Sequence, residues 1–92
     1  IPAYNEAQRI EAVLERARRA LAGFEIVVVD DGSSDATGEL ARRAGAHVLR
    51  HPFNLGYGAA LQTGYKFALQ VGAELVVQMD ADGQHDPEDS AA

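Results

Sequence analysis

Short apolar segments rich in β-branched residues recur along the chain and predict strands. Residues 25–30 (EIVVVD) are apolar on both faces, which is typical of a strand that is covered on two sides. Residues 74–79 (ELVVQM) have a similar but less pure pattern, and residues 46–50 (AHVLR) have a weaker one. Residues 1–3 (IPA) are typical of the end of a further strand.

Between these segments, apolar residues recur at the spacing of amphipathic helices. The first helix is predicted to follow Asn5, which forms a capping-box pattern with Gln8. The second is predicted to begin with Ser33 or Ser34 as its N-cap, and the third to run from about residue 58 to residue 72. Each of these helices is expected to end at a glycine, a common C-terminal stop.

The predicted order of elements is β-α-β-α-β-α-β, with short loops. This alternation indicates an α/β fold in which a parallel β-sheet carries helices on both faces. Ligands of such folds bind outside the carboxyl ends of the strands. Four loops share that edge of the sheet, and the first, second and last are polar and acidic: 2–6, 30–35, 50–58 and 80–86.

Acidic residues are concentrated near the end of the chain. The net charge is -6, and residues 80–92 hold five of the 14 acids and no Lys or Arg. The nearest approach to a basic stripe, Arg16, Arg18 and Arg19, falls where a helix should end and where cations complement its dipole. A nucleic-acid partner is therefore not indicated. The absence of cysteine excludes disulfides and thiolate metal sites, and no apolar run approaches the roughly 18 residues of a membrane-spanning helix.

Two adjacent acids, Asp30 and Asp31, precede Gly32 at the end of the strongest predicted strand. Carboxylates in this place can accept hydrogen bonds from ring N–H groups, ribose hydroxyls or metal-bound water. Helix capping would explain Ser34 but not the two acids before the glycine. We therefore interpret Asp31 as a ligand-binding residue, while binding and structural roles stay equally open for Asp30.

Asp80 and Asp82 flank Ala81 directly after the last predicted strand. Alternate residues of an extended segment point the same way, so the two carboxylates can share a divalent ion. Mg²⁺ and Mn²⁺ typically take one or two carboxylates together with substrate phosphates. A solvated acidic turn is the structural alternative. For Gln84 and His85, a metal or phosphate contact and a plain surface position are both open.

Tyr4 and Glu6 follow the first predicted strand. There the ring can stack on a base and the carboxylate can accept a hydrogen bond, although an ordinary loop before a helix is the alternative. Gly56 and Gly58 imitate a dinucleotide-binding fingerprint, but its third glycine position holds Leu61 and the motif does not follow the first strand. An NAD site is not predicted; the glycines serve either the loop itself or a phosphate at the helix N-terminus.

Four stretches resemble the family 2 glycosyltransferases of GT-A fold, in the family's order and spacing. They are IPAYNE (1–6), VVVDDGSSD (27–35), NLGYGAAL (54–61) and MDADGQH (79–85). The resemblance covers essentially the whole chain and looks most like the dolichyl- or polyprenyl-phosphate sugar transferase branch. It implies the Rossmann-like, nucleotide-binding half of a GT-A domain. Since both ends look cut, we expect residues 1–92 to be the N-terminal, donor-binding part of a single glycosyltransferase domain.

The resemblance also implies the ligands and their residues. The donor would be a UDP- or GDP-linked sugar, bound with Mg²⁺ or Mn²⁺, and the sugar would pass with inversion to an acceptor such as a polyprenyl phosphate. Asp80 and Asp82 would act in catalysis through the metal, and Gln84 would also reach it. The residues implied to bind the nucleotide are Pro2, Ala3, Tyr4, Glu6, Val29, Asp31, Asp80, Ala81 and Asp82.

In this family the acceptor site and any general base come from later in the chain. The 92 residues alone are therefore expected to bind donor weakly and not to turn over. A cytoplasmic location, at the membrane face through segments beyond residue 92, is implied as well. The sequence leaves the sugar, the base and the oligomeric state open.

Three alternatives compete with this interpretation. A response-regulator receiver would use Asp80 as phosphoacceptor and Asp30 with Asp31 for Mg²⁺, but it would leave residues 1–24 without a role. A non-catalytic nucleotide-sugar-binding module would keep the same pocket without turnover. A nucleotidyltransferase would need a Gly-rich loop after the first strand, where the chain has Tyr4 and its neighbours.

Overall fold

The computed structural model describes residues 1–74 and 76–81. Strands and helices alternate in this part of the chain, as the sequence pattern predicts. The elements are β1 (Pro2–Ala3), α1 (Ile10–Ala20), β2 (Val27–Asp30), α2 (Thr37–Arg43), β3 (His47–Arg50) and α3 (Tyr57–Gln70).

The three strands form a parallel sheet in the order β1-β2-β3. Parallel neighbours require long crossovers, and here each crossover is a helix. In the sheet, Asp30 lies opposite both Ala3 and Arg50. All three strands consequently end at one edge, and the residues that follow them are neighbours in space.

Helices cover both faces of the sheet, which confirms the predicted α/β class. Helix α1 buries one stripe at helical spacing: Ile10, Val13, Leu14 and Ala17. On this face α1 and α2 contact each other, and the buried cluster between them and the sheet includes Ile10, Leu14 and Val28. Burying a side chain of this size contributes roughly 1.5–3 kcal/mol, so this cluster stabilises the packing of α1 and α2 on the sheet.

The opposite face of the sheet carries α3. A Cβ atom added to Gly64 of α3 would lie 3.5 Å from Cγ2 of Val29. Val28 and Val29 thus point to different layers, as successive strand residues must, and their exposures are 0% and 2%. The 3.5 Å distance is an ordinary van der Waals contact, so Gly64 of α3 packs directly on Val29 of β2.

The predicted fourth strand, residues 74–79, does not form in the part of that segment that the structure describes. Residues 76–80 make no ladder with the sheet. Met79 and Ala81 are nevertheless buried, while Val76 is exposed. Gln78, which interrupts the apolar run, makes side-chain hydrogen bonds with two tyrosines of α3.

The predicted caps of the first two helices are wrong, because Asn5 and the serines bond across the loops. Helix α1 begins only at Ile10, and its N-cap Arg9 makes no side-chain capping bond. Asn5 has a φ of 51°, and its side-chain oxygen accepts from the backbone N–H of Ser34 at 2.9 Å. At the start of α2, the Asp35 carboxylate accepts from the backbone N–H of Thr37 at 3.0 Å.

Within residues 1–74 and 76–81, no helix is both long and apolar enough to cross a membrane.

Candidate functional site

A cavity of about 380 Å³ opens at the edge where the strands end. It is built from the loops after β1 and β2, the start of α3 and the segment before residue 82. The residues that line it are Pro2, Ala3, Tyr4, Glu6, Asp31, Asn54, Gly56, Tyr57, Ala60, Asp80 and Ala81.

Most of the predicted nucleotide-binding residues meet in this cavity. Pro2, Ala3, Tyr4, Glu6, Asp31, Asp80 and Ala81 all line it. Val29 does not, because it points beneath the cavity toward α3, where it borders a second, mainly apolar cavity of about 700 Å³. Asp82, Gln84 and His85 lie outside the described residues.

The register of the sheet explains why the loop residues converge. Since Asp30 is paired with both Ala3 and Arg50, the next residues along each strand are also neighbours. The backbone N–H of Asp31 donates to Ala3 at 2.8 Å, and that of His51 donates to Asp30 at 2.9 Å. Asp31 and His51 therefore stand side by side at the edge of the sheet.

Asp31 is almost fully buried and holds the loop that follows β3. Its Oδ1 accepts from His51 Nδ1 at 2.7 Å and from the backbone N–H of Leu55 at 2.9 Å. Its Oδ2 accepts from the backbone N–H of Gly56 at 2.8 Å. Burial raises the pKa of this carboxyl, but these hydrogen bonds outweigh burial and hold the pKa of Asp31 below its ordinary value. Asp31 is therefore an anion at neutral pH.

His51 continues this network into α3. Its Nε2 lies 2.8 Å from the hydroxyl oxygen of Thr63, and the residue is 8% exposed. The imidazole thus ties the Asp31 carboxylate to the second turn of α3. A buried ring between two fixed partners cannot reorient without breaking both bonds, so it orients Asp31.

Gly32 allows the loop to pass over the end of β2. It has a φ of +71°, and an added Cβ would lie 2.2 Å from the carbonyl carbon of Phe53. Real Cβ contacts are essentially never this short. The glycine after the two acids is therefore required by the close approach of the loop as well as by the turn.

Asp30 has a structural role in this arrangement. It is 1% exposed and accepts from the backbone N–H of Ser33 at 3.0 Å. Its other oxygen faces α2, where a Cβ on Gly38 would approach it to 2.5 Å. Asp30 and Asp31 thus point to different sides of the strand, and they are not arranged to share Mg²⁺ as a receiver would require.

Asp80 also lines the cavity and is held by a chain of side-chain hydrogen bonds. The Tyr57 hydroxyl donates to Asp80 Oδ1 at 2.8 Å. The same hydroxyl accepts from Gln78 Nε2 at 2.7 Å, and Gln78 Oε1 accepts from the Tyr65 hydroxyl at 3.1 Å. Two tyrosines of α3 therefore fix the approach to the predicted metal-binding segment.

The loop after β1 presents Tyr4 at the mouth of the cavity. Tyr4 is 47% exposed and lines the cavity, so part of its side chain is accessible to a ligand. Its neighbours are fixed: the backbone N–H of Asn5 donates to the Ser33 hydroxyl and that of Glu6 to the Thr37 hydroxyl, each at 2.9 Å. The loop is thereby anchored to the loop after β2.

The cavity is acidic. Glu6, Asp31 and Asp80 line it, and no Lys or Arg is among its described lining residues. Glu6 is paired at 3.0 Å with Arg9, which projects outside. Three carboxylates around a small cavity favour a cation, and hard divalent ions prefer carboxylate oxygens. Among residues 1–74 and 76–81, no three acidic or histidine side chains are grouped closely enough to hold such an ion.

Sequence reasoning missed several residues of the site. Asn54, Tyr57 and Ala60 line the cavity, and His51 and Thr63 fix Asp31. All belong to the stretch from the end of β3 into α3, where the pattern indicated only glycines of uncertain purpose. The sequence could have indicated these residues through their place in the fold, because the loop after β3 lies at the same edge of the sheet as the acidic loops.

Comparison with known proteins identifies the family of the chain. Residues 1–91 match the family described as Glycosyl transferase family 2. An uncharacterized protein of Methanocaldococcus jannaschii is 46% identical over 97% of the chain. The polyprenol monophosphomannose synthase of Mycolicibacterium smegmatis is 39% identical over 97% of the chain. The undecaprenyl-phosphate mannosyltransferase of Micrococcus luteus is 40% identical over 96% of it.

The match covers only part of each relative. The chain spans 36%, 36% and 38% of the lengths of these three proteins, respectively. The matched range, residues 1–91, includes every residue that lines the cavity at the sheet edge. The chain belongs to glycosyl transferase family 2.

Proposed function

We propose that the cavity at the sheet edge binds a UDP- or GDP-linked sugar together with Mg²⁺ or Mn²⁺, for transfer of a hexose with inversion to a polyprenyl phosphate. The observation that carries the proposal is the convergence of Tyr4, Asp31 and Asp80 on one acidic cavity. A nucleoside diphosphate is itself an anion. It would be repelled from three carboxylates unless a cation came with it.

Asp31 and Tyr4 are proposed to recognise the nucleoside. A carboxylate offers about four acceptor positions. His51, Leu55 and Gly56 occupy three positions on Asp31, which leaves one on Oδ2 beside the cavity. That position suits one N–H of a base or one ribose hydroxyl, and the ionised state of Asp31 makes it a strong acceptor. The aromatic ring of Tyr4, at the mouth of the cavity, suits stacking on the base.

Asp80, Asp82 and Gln84 are proposed to hold the metal. The acidic cavity fits a cation, and the Asp80 carboxylate is already fixed there by Tyr57. A bound divalent ion would act as a Lewis acid for the departing diphosphate. The residues of this chain would position the diphosphate beside Asp80 and hold the base against Tyr4.

The proposed acceptor follows from the relatives. The protein of Mycolicibacterium smegmatis is named for polyprenol monophosphomannose, and that of Micrococcus luteus for transfer to undecaprenyl phosphate. A phosphate acceptor is already an anion and needs little help from a general base. We propose that the acceptor site lies outside residues 1–92, with the reaction at the cytoplasmic face of a membrane. Residues 1–92 would then be the donor-binding part of one domain and inactive alone.

Thermal unfolding with nucleotides tests the donor and metal sites together. A full-length protein that contains residues 1–92 would be heated with UDP, GDP and their sugars, with and without Mn²⁺. At about 100 times the dissociation constant, a ligand stabilises the folded state by about 2.7 kcal/mol. We expect the nucleotide to add this shift only when Mn²⁺ is present, beyond any shift that Mn²⁺ causes alone.

Two isosteric variants sharpen the test. Asp80→Asn should lose the metal-dependent shift, whereas Glu74→Gln, in the same segment but outside this cavity, should keep it. A nucleotide shift that is equally large without Mn²⁺, or that survives in Asp80→Asn, would contradict the proposed metal site. Formation of a stable acyl phosphate on Asp80 with acetyl phosphate would favour a receiver instead.

A further inference from the structure

We propose that Tyr57 is a positioning residue for the metal-binding carboxylate Asp80, and that it links Asp80 to Asp31 across the cavity. The inference rests on the proposed donor and metal sites. Tyr57 is the first residue of α3 and lines the cavity between the two acids. The Tyr57 hydroxyl makes this link to Asp80, and the backbone of the two residues that precede Tyr57 makes it to Asp31.

The Tyr57 hydroxyl has one proton and directs it at Asp80. It donates to Asp80 Oδ1 at 2.8 Å and accepts from the Gln78 amide at 2.7 Å. Because Gln78 supplies the donor to this oxygen, the phenolic proton is left for the carboxylate. The carboxylate cannot turn away from the cavity without losing this charge-assisted hydrogen bond.

The backbone that carries Tyr57 is also fixed. The two preceding residues, Leu55 and Gly56, donate their backbone N–H groups to Asp31 at 2.9 and 2.8 Å. Asp31 is itself held by His51, which reaches Thr63 on the same helix as Tyr57. The Tyr57 ring therefore extends from a backbone that is held in place. Residues 55–57 bond to Asp31 through their first two backbone N–H groups and to Asp80 through the Tyr57 hydroxyl.

This arrangement has a direct consequence for metal binding. A ligand that is already oriented loses less rotational freedom when it binds an ion. Partners that orient metal ligands typically change metal affinity by about 10- to 100-fold when they are removed. Because Tyr57 is half exposed, at 52%, we expect its effect at the lower end, about tenfold.

The test compares two chemically identical changes. Tyr57→Phe removes the hydroxyl that contacts Asp80. Tyr65→Phe removes a hydroxyl from the same helix and the same chain of hydrogen bonds, at a residue of similar exposure, 45%, but without contact to Asp80. Mn²⁺ binding to the full-length protein would be measured by electron paramagnetic resonance, from the loss of the free-ion signal, without nucleotide.

We expect Tyr57→Phe to weaken Mn²⁺ binding about tenfold and Tyr65→Phe to change it less than about twofold. Thermal stability of the metal-free protein should be the same for both variants. Raising Mn²⁺ should restore nucleotide binding to Tyr57→Phe, which a folding defect would not allow. Equal Mn²⁺ affinities for the wild type and Tyr57→Phe, or equal losses in both variants, would overturn the role of Tyr57. Absence of Mn²⁺ binding by the wild type would overturn the metal site itself.

Discussion

Replacing Gly32 by alanine should disrupt the site by displacing the loop that follows β3. An added Cβ would meet the backbone of Phe53 at 2.2 and 2.6 Å and that of Asn54 at 2.4 Å. Backbone cannot swing aside as a flexible side chain can. The loop must therefore move, and its movement pulls Leu55 and Gly56 away from Asp31.

The expected cost follows from these contacts. A left-handed backbone costs an alanine about 1–2 kcal/mol, and each hydrogen bond to a charged group is worth about 1.5–3 kcal/mol. Loss of both backbone bonds to Asp31, with the strain, would cost roughly 4–8 kcal/mol. Small domains are stable by only about 5–15 kcal/mol, so the variant should be severely destabilised.

The matched control is Gly58→Ala, in the first turn of α3. An added Cβ there has nothing within 4 Å. Alanine in a helix is favoured over glycine by about 0.5–1 kcal/mol, so this variant should be neutral or slightly more stable. Urea unfolding followed by circular dichroism measures both. If Gly32→Ala is as stable as Gly58→Ala, the loop is not held against β2 as described.

Three further predictions concern single side chains. Asp82→Ala in the full-length protein should abolish Mn²⁺-dependent donor binding in calorimetry; unchanged binding would refute its metal role. Tyr4→Ala should weaken nucleotide binding by about 1–3 kcal/mol and leave Mn²⁺ binding intact; a loss of stability alone would mean that Tyr4 is structural. The pKa of Asp31 is depressed in the folded state, so its contribution to stability is present above the ordinary value of 3.8 and is lost as pH falls below it. The Asp31→Asn variant should therefore be less stable at neutral pH, and its free energy of unfolding should fall less steeply than that of the wild type as the pH is lowered through the acid range. An equally steep fall in the variant would contradict this.

The sheet and its acidic edge could be predicted from the sequence because both depend on local patterns. The apolar run of β2 identifies a strand buried on two faces, and the parallel arrangement sends its last acids to the binding edge. Asp31 was recognised as unusual for this reason. Its partners were not, because the contact between Asp31 and His51 depends on the register of β2 with β3.

Long-range side-chain contacts account for the wrong helix starts as well. Asparagine is a common N-cap residue, but the side-chain oxygen of Asn5 accepts a hydrogen bond from the backbone N–H of Ser34, 29 residues later. Tyr57 carries no recognisable motif, and only the packing of α3 beside the segment before residue 82 brings it to Asp80. Gln78 likewise weakens the strand pattern of its segment, and its side chain makes hydrogen bonds with Tyr57 and Tyr65.

Transfer of sugar from a nucleotide-linked donor to a polyprenyl phosphate is the most direct test of the proposed activity. The full-length protein would be incubated with UDP- and GDP-sugars and the lipid phosphate, with Mn²⁺ or with a chelator, and the glycolipid would be quantified. We predict product with one nucleotide class, formed only with the divalent ion and lost in Asp80→Asn. Product that forms equally in the chelator, or that survives in Asp80→Asn, would contradict the assignment of the acidic cavity as the metal-dependent donor site.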